Sequence, residues 1–192
     1  METIDLVEQG FAWGRARIEG IGNTPLETPT PCEKWNIRQL VNHAVSATAT
    51  IAGVLAADDG HDAWGANATS ADAMAEMDVW PNPLEHFDKH VGFIVATAKS
   101  SPPDRTFLMN GHPQPAIMLA RSVTFDSVVH GWDLAKVTGQ DATIPPEIAE
   151  VFIEFASGIP DGTRGAVFAP RVEVPATASP SDRLVALLGR RP

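Results

Sequence analysis

The segment TFDSVVHGWDLAKVTG, Thr124 to Gly139, constrains this chain more than any other. Wound as a helix at about 100° per residue, Leu119, Val123, Leu134 and Val137 share one face, and Phe125, Val129 and Trp132 cover much of the rest. A helix that is apolar nearly all round is buried, so the remaining helices must pack around it. Two polar residues are carried into that interior, Asp126 and His130. Four residues apart, their side chains point the same way, about 40° from each other. Buried polar groups need partners. Either His130 donates a hydrogen bond to Asp126 in a satisfied core pair, or the carboxylate and the imidazole together grip one metal ion. The spacing alone leaves both open.

Composition removes several alternatives. With 192 residues and 44% hydrophobic content, the chain suffices for one domain, residues 1–192, with a sizeable core. Its formal net charge of -10 argues against a nucleic-acid or anionic-membrane partner, because phosphate binding needs clustered Lys and Arg. Only Arg190 and Arg191 adjoin, near the end. Cys32 is the one cysteine, so no internal disulfide forms, which fits a reducing cytoplasm. The opening METIDLVEQG is not a signal peptide, and no stretch approaches the roughly 20 apolar residues that span a bilayer.

Periodicity and punctuation predict the elements. Ile4, Val7, Phe11, Gly14 and Ile18 mark a helix from Thr3 to about Ile18, ended by Gly20 and Gly22. NTPLETPTPCEKW, Asn23 to Trp35, is an ordered loop with Cys32 as a packing residue. Asn36 and Gln39 form a capping box for a helix to about Ala57, with His43 near the edge of its apolar stripe. Asp58 to Ser70 is loop, followed by a short helix over Ser70 to Val79. Asn82 as cap, Pro83 and Glu85 start a helix with the stripe Leu84, Phe87, Val91, Ile94 and Ala98, stopped by Ser100 to Pro103. His86 and His90 on it form a rival metal pair by spacing, but point away from the stripe toward solvent.

Asp104 to Pro113 is loop with a short extended piece at Thr106 to Met109, and the central helix runs from about Pro115 to Gly139. Pro145 and Pro146 begin a helix that turns Ile148, Val151, Phe152 and Phe155 inward and stops at Gly158. Gly162 to Val174 is loop with one short strand; Ser179, Pro180 and Asp182 start a last helix ending at Gly189. Four long helices predict an all-α fold, an antiparallel four-helix bundle with additional short helices and a C-terminal tail.

Three blocks, TPTPCEKWNIRQLVNHAV, HGWDLAKVTG and FAPRVEVPATASPSDRLVALLGRRP, together resemble actinobacterial metal-binding proteins related to the N-terminal domain of mycothiol-dependent maleylpyruvate isomerase, within the DinB/YfiT-like putative metalloenzymes. The pattern Trp35, Leu40, His43 and the run from His130 to Ala135 carry the likeness, which extends from the first helix to the last residue. The resemblance implies one divalent metal at one end of the bundle. Its ligands would be His43, with Asp126 and His130 in the place of the family's E-x-x-x-H. Asp126 departs from the usual Glu by one methylene, so its carboxylate must approach more closely or bind through water. The isomerase carries a separate C-terminal domain that this chain does not show, so its substrate contacts do not transfer.

Two imidazoles and one carboxylate suit a catalytic ion with an open position, whereas structural zinc is usually closed by four protein ligands. Zinc is the first expectation; the same set also holds Ni, Fe or Mn. Asp133 and the indole N–H of Trp132 are candidates to sit behind the ligands, with a helix–loop hydrogen bond as the alternative for Asp133. His61, His86, His90 and His112 are weaker ligand candidates, His112 the best of them. Three functions follow: a metal-dependent enzyme that uses a low-molecular-weight thiol such as mycothiol for transfer or isomerisation, a metal-dependent hydrolase, and a non-catalytic module that binds metal or ligand. The expected partners are a small thiol or electrophile and, from the resemblance, a second copy of the chain.

Overall fold

The computed structural model describes residues 3–57, 70–159 and 168–192. In order it contains α1 (Thr3–Glu19), α2 (Ile37–Ala56), α3 (Ala71–Ala75), α4 (Pro83–Ser100), β1 (Thr106–Met109), β2 (His112–Pro115), α5 (Ala116–Thr138), α6 (Pro146–Ser157) and α7 (Pro180–Leu187). Helices α1, α2, α4 and α5 form the bundle: α1 packs on α5 and α4, and α2 packs on α4 and α5. No helix among the described residues is long and apolar enough to cross a membrane.

The all-round apolarity of α5 has a structural reason. One side presents Leu119, Val123 and Leu134 to the bundle core, beside Val7, Phe11, Leu40, Phe87 and Ile94. The opposite side presents Phe125, Val128, Val129 and Trp132 to a second core completed by α6 and α7, with Ile148, Phe152, Leu184 and Leu188. The central helix thus serves two apolar clusters. Each fully buried side chain of this size contributes about 1.5–3 kcal/mol.

Helices α1 and α5 approach so closely that glycine is required. A Cβ at Gly14 would lie 2.2 Å from Ser127 Oγ and 2.9 Å from the Ser127 carbonyl oxygen, and one at Gly131 would lie 2.7 Å from the Trp13 ring. These contacts fix α5 against α1 along the stretch that carries Asp126 and His130.

The predicted boundaries hold at most helix ends. Both halves of the Asn36–Gln39 capping box form, Ser179 caps α7, and Gly139 closes α5 in the left-handed region at φ 71°. Four local expectations change. Asn82 makes no side-chain cap to α4, which starts on Pro83 alone. The helix expected over Ser70 to Val79 is only Ala71–Ala75. Thr106–Met109 gains a partner strand, His112–Pro115, across a turn in which Asn110 and Gly111 have φ 53° and 74°. Phe155, expected inward, is 38% exposed because α6 buries Ile148, Ala149, Phe152 and Ala156 instead. The strand expected within Gly162 to Val174 falls partly outside the described residues, and 168–174 contains none.

Candidate metal centre

The capping box sets where His43 lies along α2. Asn36 Oδ1 accepts from the Gln39 N–H at 2.9 Å, and Gln39 Oε1 accepts from the Asn36 N–H at 3.3 Å. This closes the first turn and places His43 two turns along the helix, 7% exposed. The preceding loop is pinned as well. The Ile37 N–H donates to the Thr28 carbonyl at 3.0 Å, and the Thr30 hydroxyl donates to the Trp35 carbonyl at 2.8 Å. Trp35 is thereby folded over both imidazoles, with ring centroids 4.5 Å from His43 and 5.7 Å from His130.

The three predicted ligands meet. His43 Nε2 lies 3.3 Å from Asp126 Oδ1 and His130 Nε2 lies 3.4 Å from the same oxygen. One donor atom from each residue falls within a 4.8 Å group. The two imidazole rings stand nearly perpendicular, 83° apart. Asp126 Oδ2 and His43 Nδ1 are buried atoms without a hydrogen-bond partner. The Asp126 side chain as a whole is 29% exposed, because it faces a cavity of about 220 Å³ that opens between α2 and α5.

These distances bear on what the group can hold. Charge-assisted N–H···O bonds run about 2.7–2.9 Å, so both contacts to Asp126 are long for an ion pair. Ligand bonds of about 2.0–2.1 Å to a tetrahedral ion put neighbouring donor atoms about 3.3–3.4 Å apart. The residues fit a single small dication.

Behind His130 stands Asp133, fully buried. His130 Nδ1 donates to Asp133 Oδ2 at 3.1 Å, which turns Nε2 toward Asp126. This is the carboxylate–histidine arrangement that orients a metal-ligating imidazole. Asp133 is in turn held by Arg190, whose Nη2 donates to Oδ2 at 2.9 Å. Burial pushes both carboxyls up, but the charged neighbours win. Asp126 is held well below the usual carboxylate range by His43 and His130, and Asp133 is lowered by Arg190 and His130. Burial lowers His130, yet Asp126 and Asp133 together raise it to about 9. An imidazole proton therefore occupies the metal-free centre at neutral pH.

The other predicted residues lie elsewhere. Trp132 is two residues from His130, about 200° round the helix, and packs in the second core with Lys136 Nζ 5.4 Å from its ring centre. It does not stand behind the ligands. His61 lies outside the described residues. His86 and His112 are exposed, and His90 is half-buried with Nδ1 3.4 Å from the Thr48 hydroxyl. Cys32 is closer to the centre than its loop position implied: its sulfur falls in one group with His130 and Asp133. Burial and the Asp133 charge push its thiol up to about 11, so it stays protonated. Arg190 is the functional residue the sequence reading missed. A fully buried carboxylate requires a cation, and the Arg190–Arg191 pair was a signal to look in the tail for one.

Comparison with known proteins adds the family. Residues 7–135 match the family model described as mycothiol maleylpyruvate isomerase N-terminal domain, which is more than half of the chain. The chain belongs to this family. The match takes in His43, Asp126, His130 and Asp133 and stops short of α6, α7 and Arg190. The fold is accordingly an all-α, DinB-like one. Two uncharacterized proteins from two strains of Mycobacterium tuberculosis are each 27% identical over 178 residues, covering 91% of this chain and 90% of theirs. No solved structure gives a significant match. The family is named for a mycothiol-related isomerase, and the clustered donors of this chain are compatible with a divalent metal site.

Proposed function

We propose that this protein is a metal-dependent enzyme that uses a low-molecular-weight thiol, mycothiol in the first instance, for transfer or isomerisation. The observation that carries the reading is the donor spacing. Two imidazole nitrogens stand 3.3 and 3.4 Å from one carboxylate oxygen, beside a buried carboxylate oxygen with no hydrogen-bond partner. His43, Asp126 and His130 would hold the ion, with zinc the first candidate. Once bound, a dication with one carboxylate ligand keeps about one net positive charge, enough Lewis acidity to favour a thiolate over a thiol.

The chain's own residues do the rest. Asp133 orients His130 and fixes Nδ1 as its protonated nitrogen. Trp35 covers both imidazoles on the loop side and shields them from water there. In the metal-free protein burial and the Asp133 charge keep the Cys32 thiol protonated. The opening beside Asp126 is the route left for substrate.

Metal content of tag-free protein by plasma mass spectrometry tests the first half. The expected result is about one equivalent, lost in the His43→Ala, His130→Ala double variant while helical circular dichroism is retained. Cobalt-substituted protein tests the second half: added thiol should change its visible bands. Metal binding with no response to thiol overturns the thiol reading, and no metal after reconstitution overturns both.

A further inference from the structure

The cavity beside Asp126 has a chemical character of its own. Its walls are Ala47 and Ile51 of α2, Met74 of α3, Met109 of β1 and Val123 of α5. His43 and Asp126 form its floor. Ser122 is the one hydroxyl of the described lining, and it already donates to the Leu119 carbonyl at 2.8 Å. No Lys or Arg is among the described lining residues. At about 220 Å³ the space lies below the about 300–1,000 Å³ of drug-sized ligand pockets and equals about seven water volumes.

We infer that this cavity receives a small uncharged molecule with an apolar body, which one end brings up to the His43–Asp126–His130 group. A carboxylate placed against these walls would lose its hydration and meet no lysine, no arginine and no free hydroxyl among the described wall residues to compensate for it. An apolar body loses nothing by leaving water and gains contact with two thioether side chains, which adjust to irregular shapes. The inference deepens the reading above and rests on it only for what the molecule meets at the floor; the cavity's selectivity is a property of its walls.

The walls supply their own reporters. Among the five methionines, Met74 and Met109 line the cavity, while Met77 and Met118 are 49% and 40% exposed elsewhere. The full chain, metal-free and labelled with ¹³C at the methionine methyls, is titrated with benzyl alcohol and with benzoate. Met74 and Met109 are expected to shift while Met77 and Met118 stay still, and benzyl alcohol is expected to bind at least about tenfold tighter than benzoate. Equal or tighter binding of benzoate overturns the inference, as does a shift common to all four methyls. Met109→Lys places a cation in the wall and should raise benzoate affinity relative to benzyl alcohol by at least about tenfold; an unchanged ratio overturns the inference. Because the titration uses metal-free protein, failure to bind metal leaves it readable. A thiol response at bound metal without the methyl shifts sinks the cavity inference alone.

Discussion

Arg190 grips Asp133 at two points: Nη2 donates to Oδ2 at 2.9 Å and Nε donates to Oδ1 at 3.3 Å, with both side chains out of water. Asp133 Oδ2 also accepts from His130 Nδ1. A cation from the C-terminal segment therefore holds the carboxylate that orients His130. The cost of removing one partner from such a pair is the uncompensated buried charge left behind, about 3–5 kcal/mol. Arg190→Met should lower the free energy of unfolding by about that amount in urea titrations, and Asp133→Leu with Arg190→Met should cost less than Arg190→Met alone.

Acid should weaken this pair with a defined sign. Arg190 and His130 hold the Asp133 carboxyl below its ordinary value of 3.8. A lowered carboxyl gives stability that is complete above its unfolded value and is lost as pH falls through the folded one. The advantage of metal-free wild type over Asp133→Asn should thus be flat from about pH 7 to about pH 5 and shrink below about 4. An advantage that grows on acidification would contradict the ion pair.

The opposite sign holds at His130. Its pKa is raised from 6.5 to about 9, so its contribution to metal-free stability is complete below 6.5 and is lost as pH rises through about 9. Metal must displace that proton. Apparent zinc affinity should rise about tenfold per pH unit between about pH 7 and about pH 9 on this account, then flatten, with proton release measurable by calorimetry in buffers of different ionisation enthalpy.

The glycine contact between α1 and α5 predicts a coupled loss. Gly131→Ala drives a methyl to 2.7 Å from the Trp13 ring and 3.2 Å from the Gly14 Cα. Overpacking of this kind costs about 1–3 kcal/mol. Since Gly131 follows His130 directly, metal affinity should fall along with the melting temperature. Gly92→Ala, where nothing lies within 4 Å of the added Cβ, should change neither by a comparable amount and serves as the control.

What the sequence revealed divides along physical lines. Signals within one turn of chain were legible: the Asn36–Gln39 box, Pro83 at the start of α4 and Gly139 at the end of α5 all have local causes. The first strand is legible as the extended piece at Thr106 to Met109, and Asn110–Gly111 is a favoured pair for a turn with two positive φ values, but Pro113 and Pro115 obscure the second strand. Asp126 and His130 could be paired because helical geometry relates them. His43 needed the family resemblance, as 83 residues separate it from Asp126 and no periodicity spans that distance. Arg190 and Cys32 reach the site only through tertiary packing. Trp132 was misplaced by its nearness in sequence, since two helical residues point to nearly opposite sides.

The packing of Trp35 against two imidazoles has an optical consequence. A protonated imidazole against an indole quenches its emission, and His130 carries that proton in the metal-free protein at neutral pH. Raising the pH through about 9 should therefore brighten Trp35, and a diamagnetic ion that removes the same proton should brighten it at neutral pH. Trp35→Phe should abolish both changes while the four other tryptophans keep glowing. The centre would then report its own occupancy as light, with no dye or label attached.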